Sequence, residues 1–392
     1  MKNSLTLRTL VLALLLGLLA APAAAQARWG EPIVESTPVP SPPAIAAPNY
    51  VLVDLHSGDI LAQGNPKTSH PPASLTKLMT AYVVFRELSA GNISLDDQVT
   101  ISEKAWRAEG SRMFVEVGDQ VSVEKLLQGM IVQSGNDASV ALAEYVAGDE
   151  RTFAQLMNQH AERLGMENTH YTNATGMPDS ELRTTALDTA RLAKAIIEEF
   201  PEYYDWYSQR AFTYAGITQH NRNKLLWRDS SVDGLKTGYT SNAGYNLTTS
   251  AKRDGMRLIS VVLGADSAQA RIRQSHQLLN YGFRFFETHR LYTADEALTE
   301  TKLWQGAQES ISLGVPHDIY VTIPRREYDN LSASMSVDGP VIAPIGAGEP
   351  LGRLRVELAD TTIHEAPLVS QSEAEKGGLW GQMIDKILLR FQ

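Results

Sequence analysis

Ser74-Leu-Thr-Lys77-Leu-Met-Thr-Ala-Tyr-Val-Val-Phe-Arg-Glu-Leu88 places apolar residues at Leu75, Leu78, Met79, Tyr82, Val83, Phe85 and Leu88, close to helical spacing. Pro71-Pro72 just ahead is a start signal, so the pattern predicts a helix opened by Ser74. A residue three places on lies one turn away on the same face, which lets the Lys77 ammonium reach the Ser74 hydroxyl. Serine is a weak nucleophile at neutral pH. A lysine serves as its base only if burial or a nearby cation lowers its pKa. Backbone N–H groups at the start of such a helix also suit a developing oxyanion. Taken alone, the pair is equally what an ordinary exposed helix shows.

Two further strings change that reading. Ser134-Gly-Asn136 lies between the apolar segments Val123–Val132 and Ala138–Val146, in a loop between two expected helices, where by itself it reads as a cap or turn. Lys236-Thr237-Gly238 follows Val232-Asp-Gly-Leu235 and precedes Tyr245-Asn-Leu-Thr-Thr249, at the edge of an expected strand; by itself it reads as a β-turn. Their order and wide spacing describe one acyl-transfer site assembled from distant elements, with Lys236 as a candidate second cation near Lys77.

With these strings in place the chain resembles the low-molecular-mass penicillin-binding proteins, membrane-anchored D-alanyl-D-alanine carboxypeptidases with a Ser-x-x-Lys nucleophile motif. Asn221-Arg-Asn-Lys-Leu-Leu-Trp227, Ala243-Gly-Tyr-Asn246, Thr172-Asn-Ala-Thr-Gly-Met-Pro-Asp179 and Tyr281-Gly-Phe-Arg-Phe-Phe286 look like further landmarks of that family, and the likeness runs from about Ala47 to the last residue. The resemblance implies an α+β fold: a β-lactamase/transpeptidase-like catalytic domain with an antiparallel sheet covered by helices, then a small all-β domain. It implies serine-type removal of the terminal D-alanine from peptidoglycan stem peptides, with β-lactams as acylating inhibitors. Ser74, Lys77, Ser134, Asn136 and Lys236 would be catalytic; Thr237, Gly238, Tyr239, Arg271 and, more weakly, Arg222 would bind substrate. Arg271 matches the family position that holds the C-terminal carboxylate, and Tyr239 stands where close relatives often have histidine.

Composition narrows the alternatives. The 392 residues exceed one usual core and suggest two domains plus tails. Asp and Glu number 45 against 35 Lys and Arg, with no basic stripe, which argues against a nucleic-acid partner. There is no cysteine, which removes disulfides, thiol catalysis and Cys-based zinc sites. No metal or cofactor is expected. No Gly-x-Ser-x-Gly elbow is present, and His364-Glu365 lacks the second histidine of a zinc protease helix because position 368 is Leu368. A class A β-lactamase shares the strings but needs a glutamate to activate deacylating water, and no well-matched loop occurs between Asn136 and Lys236. A non-catalytic peptidoglycan-binding protein would have no physical reason to keep both lysines near the serine.

Domain organisation follows from the flanks. Lys2, Arg8, the aliphatic run Leu10–Leu19 and Ala23-Ala-Ala25 predict a signal peptide over 1–27, with an uncleaved anchor as the alternative. Residues 28–48 form a Pro-rich leader, 49–290 the catalytic domain, 291–371 a β-rich domain, and 372–392 a linker and amphipathic helix. Tyr50–Asp54 and Ile60–Ala62, joined through His56-Ser-Gly58, read as a hairpin, and Leu258–Leu263 as a further strand. Glu124–Met130, Ala138–Tyr145, Thr152–Leu164 and Leu187–Phe200 read as helices, and Asp318–Ile323, Leu331–Val337, Gly352–Leu358 and Thr362–Val369 as strands of the second domain. Leu379, Trp380, Met383, Ile384, Ile387, Leu388 and Phe391 would lie in a lipid interface on the outer face of the inner membrane, or else dock on the β domain.

Overall fold

A computed structural model describes residues 39–390. The expected signal peptide, most of the expected leader and Phe391 of the tail lie outside the described residues.

Asn49–Asp54 and Ile60–Gly64 form the hairpin expected around His56-Ser-Gly58. Asn49–Asp54 also pairs with Met256–Ala265, which pairs with Gly244–Arg253, which pairs with Val232–Thr240, every pairing antiparallel. Lys236 thus lies on an edge strand of a five-stranded sheet. Alternation along the strands feeds two cores: Val51, Val53, Ile259, Val261 and Leu263 face one side, Leu52, Leu258 and Val262 the other. Helix Ala268–Phe285 covers the second side with Leu278, Leu279 and Phe283. The helices between the strands cover the first. Both faces are therefore buried, which is why Tyr50-Val-Leu-Val53 and Leu258–Leu263 read as largely apolar runs.

The expected helices are present: Thr76–Ser89, Val123–Gln128 running on through a π-turn at Gly129–Gln133, Asn136–Ala147, Glu150–Arg163 and Ala186–Glu199. Several start as helix chemistry dictates, with Ser122, Asp149 and Thr185 side chains accepting from free N–H groups of the first turn. Two hairpins, Gln98–Thr100 with Gln120–Ser122 and Ala211–Tyr214 with Ile217–His220, went unread because strands this short show no period.

Phe286–Tyr292 leaves helix Ala268–Phe285 directly and pairs with Ile319–Pro324. Beyond it a six-stranded sheet contains the expected strands as Leu331–Val337, Pro350–Leu358 and Thr361–Ser370, together with Ser310–Gly314, Thr299–Trp304 and Val341–Ile342. The two parts are bonded through the first hairpin. Buried Asp54 accepts from the Thr288 hydroxyl at 2.7 Å, the Ser57 and Thr322 hydroxyls bond at 2.6 Å, and the Thr322 N–H donates to Asp59 at 3.4 Å. The described end of the leader has no core of its own: Val39 and Ile45 pack on the second core, and Tyr281 donates to the Pro40 carbonyl at 3.0 Å.

Leu379–Leu388 is helical, and Leu379, Trp380, Met383, Ile384, Ile387 and Leu388 are all exposed. Its apolar face is thus not docked on the β domain; Asp385 on the opposite face accepts from the Gln305 N–H. Among the described residues no helix is long and apolar enough to cross a membrane.

Candidate active site

The turn that presents Ser74 is built by close contacts. Ala73 takes φ of 48°, in the left-handed region, and Ala73–Leu75 forms a 3-10 turn before the α-helix begins at Thr76. Ser74 therefore precedes the helix that it was expected to open. The reason is the bend at Ala73, a strained conformation of the kind held only by a surrounding structure that over-determines it. Two glycines supply that constraint. A Cβ on Gly176, itself at φ +83, would lie 1.9 Å from the Ala73 carbonyl oxygen, and one on Gly238 would lie 2.9 Å from the Pro72 oxygen and 3.2 Å from Ser74 N. Only glycine lets the edge strand come this close to the nucleophile. Asn246, fully buried, fastens the same turn to the sheet by donating to the Pro71 and Pro72 carbonyls at 3.0 and 3.2 Å.

Lys77, 1% exposed, donates to Asn136 Oδ1 at 2.6 Å and to the Thr175 carbonyl, and its Nζ stands 3.3 Å from Ser74 Oγ. Burial, then the Arg222 charge, lowers its pKa to about 7 against the opposing pull of Asp137. A large share of the amine is thus neutral at neutral pH, the condition a base must meet. Arg222 is the cation that lowers Lys77 after burial, and Lys236, expected beside it, interacts with Lys77 as well: it is buried too and is itself pushed well down by burial and then by the charges of Lys77, Arg222 and Arg271.

Ser134, at φ 70, ends the π-turn, and Gly135 leads into the helix opened by Asn136. Asn136 Nδ2 donates to the Glu109 carbonyl, which leaves its oxygen aimed at Lys77. Buried Asp137 accepts from the N–H groups of Met113, Phe114, Val115 and Ala138, fixing the preceding loop against this string. Ser134 Oγ is buried without a hydrogen-bond partner; Lys236 Nζ donates instead to the Thr237 carbonyl at 3.1 Å. No hydrogen bond joins Ser134 to Lys236.

Arg271 comes from helix Ala268–Phe285 and is 8% exposed. Its Nη1 donates to the carbonyls of Gly238 and Asn246 at 2.8 and 3.2 Å, and among the described residues it has no ion pair. Burial brings its pKa down to about 10, so it stays cationic at neutral pH. Ser74, Ser134, Asn136, Arg222, Thr237, Gly238, Tyr239 and Arg271 line one cavity of about 400 Å³, over the buried Lys77 and Lys236. Among the described residues that line it, none is acidic.

A profile of the D-alanyl-D-alanine carboxypeptidase family matches residues 36–267, and one of the penicillin-binding protein 5 C-terminal domain matches residues 286–376. The chain belongs to the D-alanyl-D-alanine carboxypeptidase family. It is 42% identical over 357 residues to D-alanyl-D-alanine carboxypeptidase DacC of Escherichia coli K12, with 89% of each chain covered. Penicillin-binding protein 5 from Haemophilus influenzae superposes with a TM-score of 0.83 at 40% identity, covering 86% of this chain and 100% of that one. Penicillin-binding protein D2 from Listeria monocytogenes, in its ampicillin-bound form, gives 0.55 at 30% identity over 61% of this chain and 98% of that one. Membership of the carboxypeptidase family sets aside the β-lactamase alternative, and the fold is the one the resemblance implied.

Thr175, Gly176, Asp137 and Asn246 contribute to the site and were not singled out from sequence. Thr175 and Gly176 sit inside the 172–179 stretch and Asn246 inside the 243–246 stretch, but a carbonyl acceptor, a close approach and a buried amide carry no local signal.

Proposed function

We propose that this serine-type carboxypeptidase removes the terminal D-alanine from peptidoglycan stem peptides through an acyl-enzyme on Ser74. The observation that carries the reading is the buried Lys77 amine, with its pKa brought to about 7, 3.3 Å from Ser74 Oγ. Neutral Lys77 takes the hydroxyl proton as Oγ attacks the carbonyl carbon of the penultimate D-alanine. The oxyanion forms against the main-chain N–H groups of Ser74 and Tyr239, each donor of this kind being worth roughly 3–4 kcal/mol. The C–N bond then breaks, and the proton that Lys77 took is relayed through the Ser134 hydroxyl, which has no partner in the protein, to the departing amine, so Lys77 is neutral again. Water then attacks the ester carbonyl, Lys77 takes its proton and returns it to Ser74 Oγ, and the acid product leaves. Asn136 holds Lys77 and the substrate amide, Lys236, its ammonium disfavoured by burial and the neighbouring cations, completes the buried floor of the site, and Thr237 and Arg271 take the terminal carboxylate through charge-assisted bonds. Arg222 shapes the rim.

β-Lactams enter the same chemistry by ring opening on Ser74. After incubation with benzylpenicillin, intact-mass measurement should give a persistent increase equal to the whole drug, and fragmentation should place it on Ser74 within the tryptic peptide 68–77. Rapid drug destruction without an adduct, or an intact drug and no adduct, would overturn the reading.

The domain division at 290 and 371 and the place of action belong to the same proposal. Residues 1–27 direct export, and the exposed apolar face of Leu379–Leu388, with Trp380 at 77% exposure, lies in the lipid interface of the inner membrane. Deleting residues 377–392 should move the mature protein to the soluble fraction with D-alanine release unchanged; a truncated chain that still sediments with membranes would refute the anchor.

A further inference from the structure

Tyr239 and Tyr245 stand directly opposite each other on neighbouring antiparallel strands, with ring centroids 4.3 Å apart and planes inclined by 30°. The Tyr245 ring also receives the Arg271 guanidinium, whose carbon lies 5.5 Å from the ring centroid. Both hydrogen bonds of Arg271 to the protein leave from a single nitrogen, Nη1, and its buried Nε has no partner. Two bonds from one nitrogen anchor only one end of the planar guanidinium and leave its other end without a hydrogen bond to the protein. The aromatic face supplies a further constraint on the group as a whole, because a guanidinium is attracted to the negative face of a ring and this attraction strengthens when water is excluded. Tyr239 lines the cavity and Tyr245 does not, so Tyr245 acts on substrate only through its neighbours.

We propose that Tyr245, stacked against Tyr239, is a positioning residue that orients the Arg271 guanidinium for the substrate's terminal carboxylate. This rests on the assignment of Arg271 to that carboxylate. Arg271 is a buried cation with no acidic partner among the described residues, a group poised to gain a counter-ion from the ligand. Cross-strand aromatic pairs hold their register well, and an exposed outer ring shields the inner one from water. Tyr239, the residue where this chain departs from close relatives, thereby acquires a side-chain role besides that of its N–H.

The test uses the full chain and two substrates, an acylated L-Lys-D-Ala-D-Ala peptide and the same peptide ending in D-alaninamide. The readout is the ratio of kcat/KM for acid over amide, with the melting temperature as a folding control. Wild type should prefer the acid. Tyr245→Leu should lower the ratio about tenfold through KM for the acid, with kcat and the amide reaction little changed. Tyr245→Phe should restore it, and Tyr245→Leu added to Arg271→Gln should lower it no further than Arg271→Gln alone. An unchanged ratio in Tyr245→Leu, or an equal loss on both substrates, would overturn the proposal while leaving the carboxypeptidase reading intact. A wild type with no preference for the acid would instead remove the assignment of Arg271, and this inference with it.

Discussion

Replacement of Lys77 by methionine is expected to slow acylation of Ser74 by benzylpenicillin about 10³-fold, within the range that a positioned general base contributes. Methionine has comparable length and fills the same buried slot but takes no proton. It also leaves Asn136 Oδ1 and the Thr175 carbonyl without their donor, a smaller structural loss. The pH profile separates the two effects. For wild type, the rate should rise with pH through about 7, where Lys77 becomes neutral, and then level off. Lys77→Met should show no such limb. Arg222→Gln removes the cation that disfavours the Lys77 ammonium, so the ammonium is stabilised, its pKa rises and the limb moves to higher pH. Mass-resolved adduct formation against time gives each rate. A Lys77→Met protein that acylates within tenfold of wild type would place the base elsewhere.

The largest effect on stability should come from Asp137→Ala, a loss of about 3–5 kcal/mol in the free energy of unfolding. Asp137 is fully buried, and its oxygens accept from the N–H groups of Met113, Phe114, Val115 and Ala138 at 3.0, 2.9, 3.4 and 2.9 Å. Alanine leaves these donors without their carboxylate acceptor, so their desolvation is no longer compensated by the protein. Asp137→Asn, which keeps one acceptor oxygen, should lie between. Equilibrium urea unfolding measures both, and an Asp137→Ala free energy of unfolding within about 1 kcal/mol of wild type would show that the loop finds other acceptors. Activity should fall as well, because the Asn136 amide bonds to the carbonyl of Glu109 just upstream of this loop.

The strings led to the site because each carries a functional side chain at fixed local spacing. Ser74, Ser134, Asn136, Thr237 and Arg271 do meet at one cavity, and Lys77 and Lys236 lie beneath it. Long helices such as Glu150–Arg163 were legible for the same reason, a period sustained over several turns. What escaped was whatever depends on partners remote in sequence. The bend at Ala73 is set by Gly176 and Gly238, and nothing near position 73 announces it. Lys236 was read as a cation near Lys77 because both belong to recognisable strings, and the two do interact; the further contribution of Arg222, a loop arginine, carries no such local signal. Thr299–Trp304 and Ser310–Gly314 were missed because short strands in a small β unit are defined by pairing more than by pattern.

The hydroxyl and carboxylate contacts from the first hairpin to Thr288 and Thr322 have a mechanical corollary. They join the unit that bears the cavity to the unit that bears the tail through direct hydrogen bonds, where a flexible tether would have sufficed to keep the two together. A tail held at a surface would therefore dictate the compass bearing of the cavity mouth as well as its distance from that surface. Such an enzyme would survey a thin layer of its polymer from a constant height, and its rate on insoluble wall material would depend on the local thickness and orientation of that layer in a way its rate on free peptides does not.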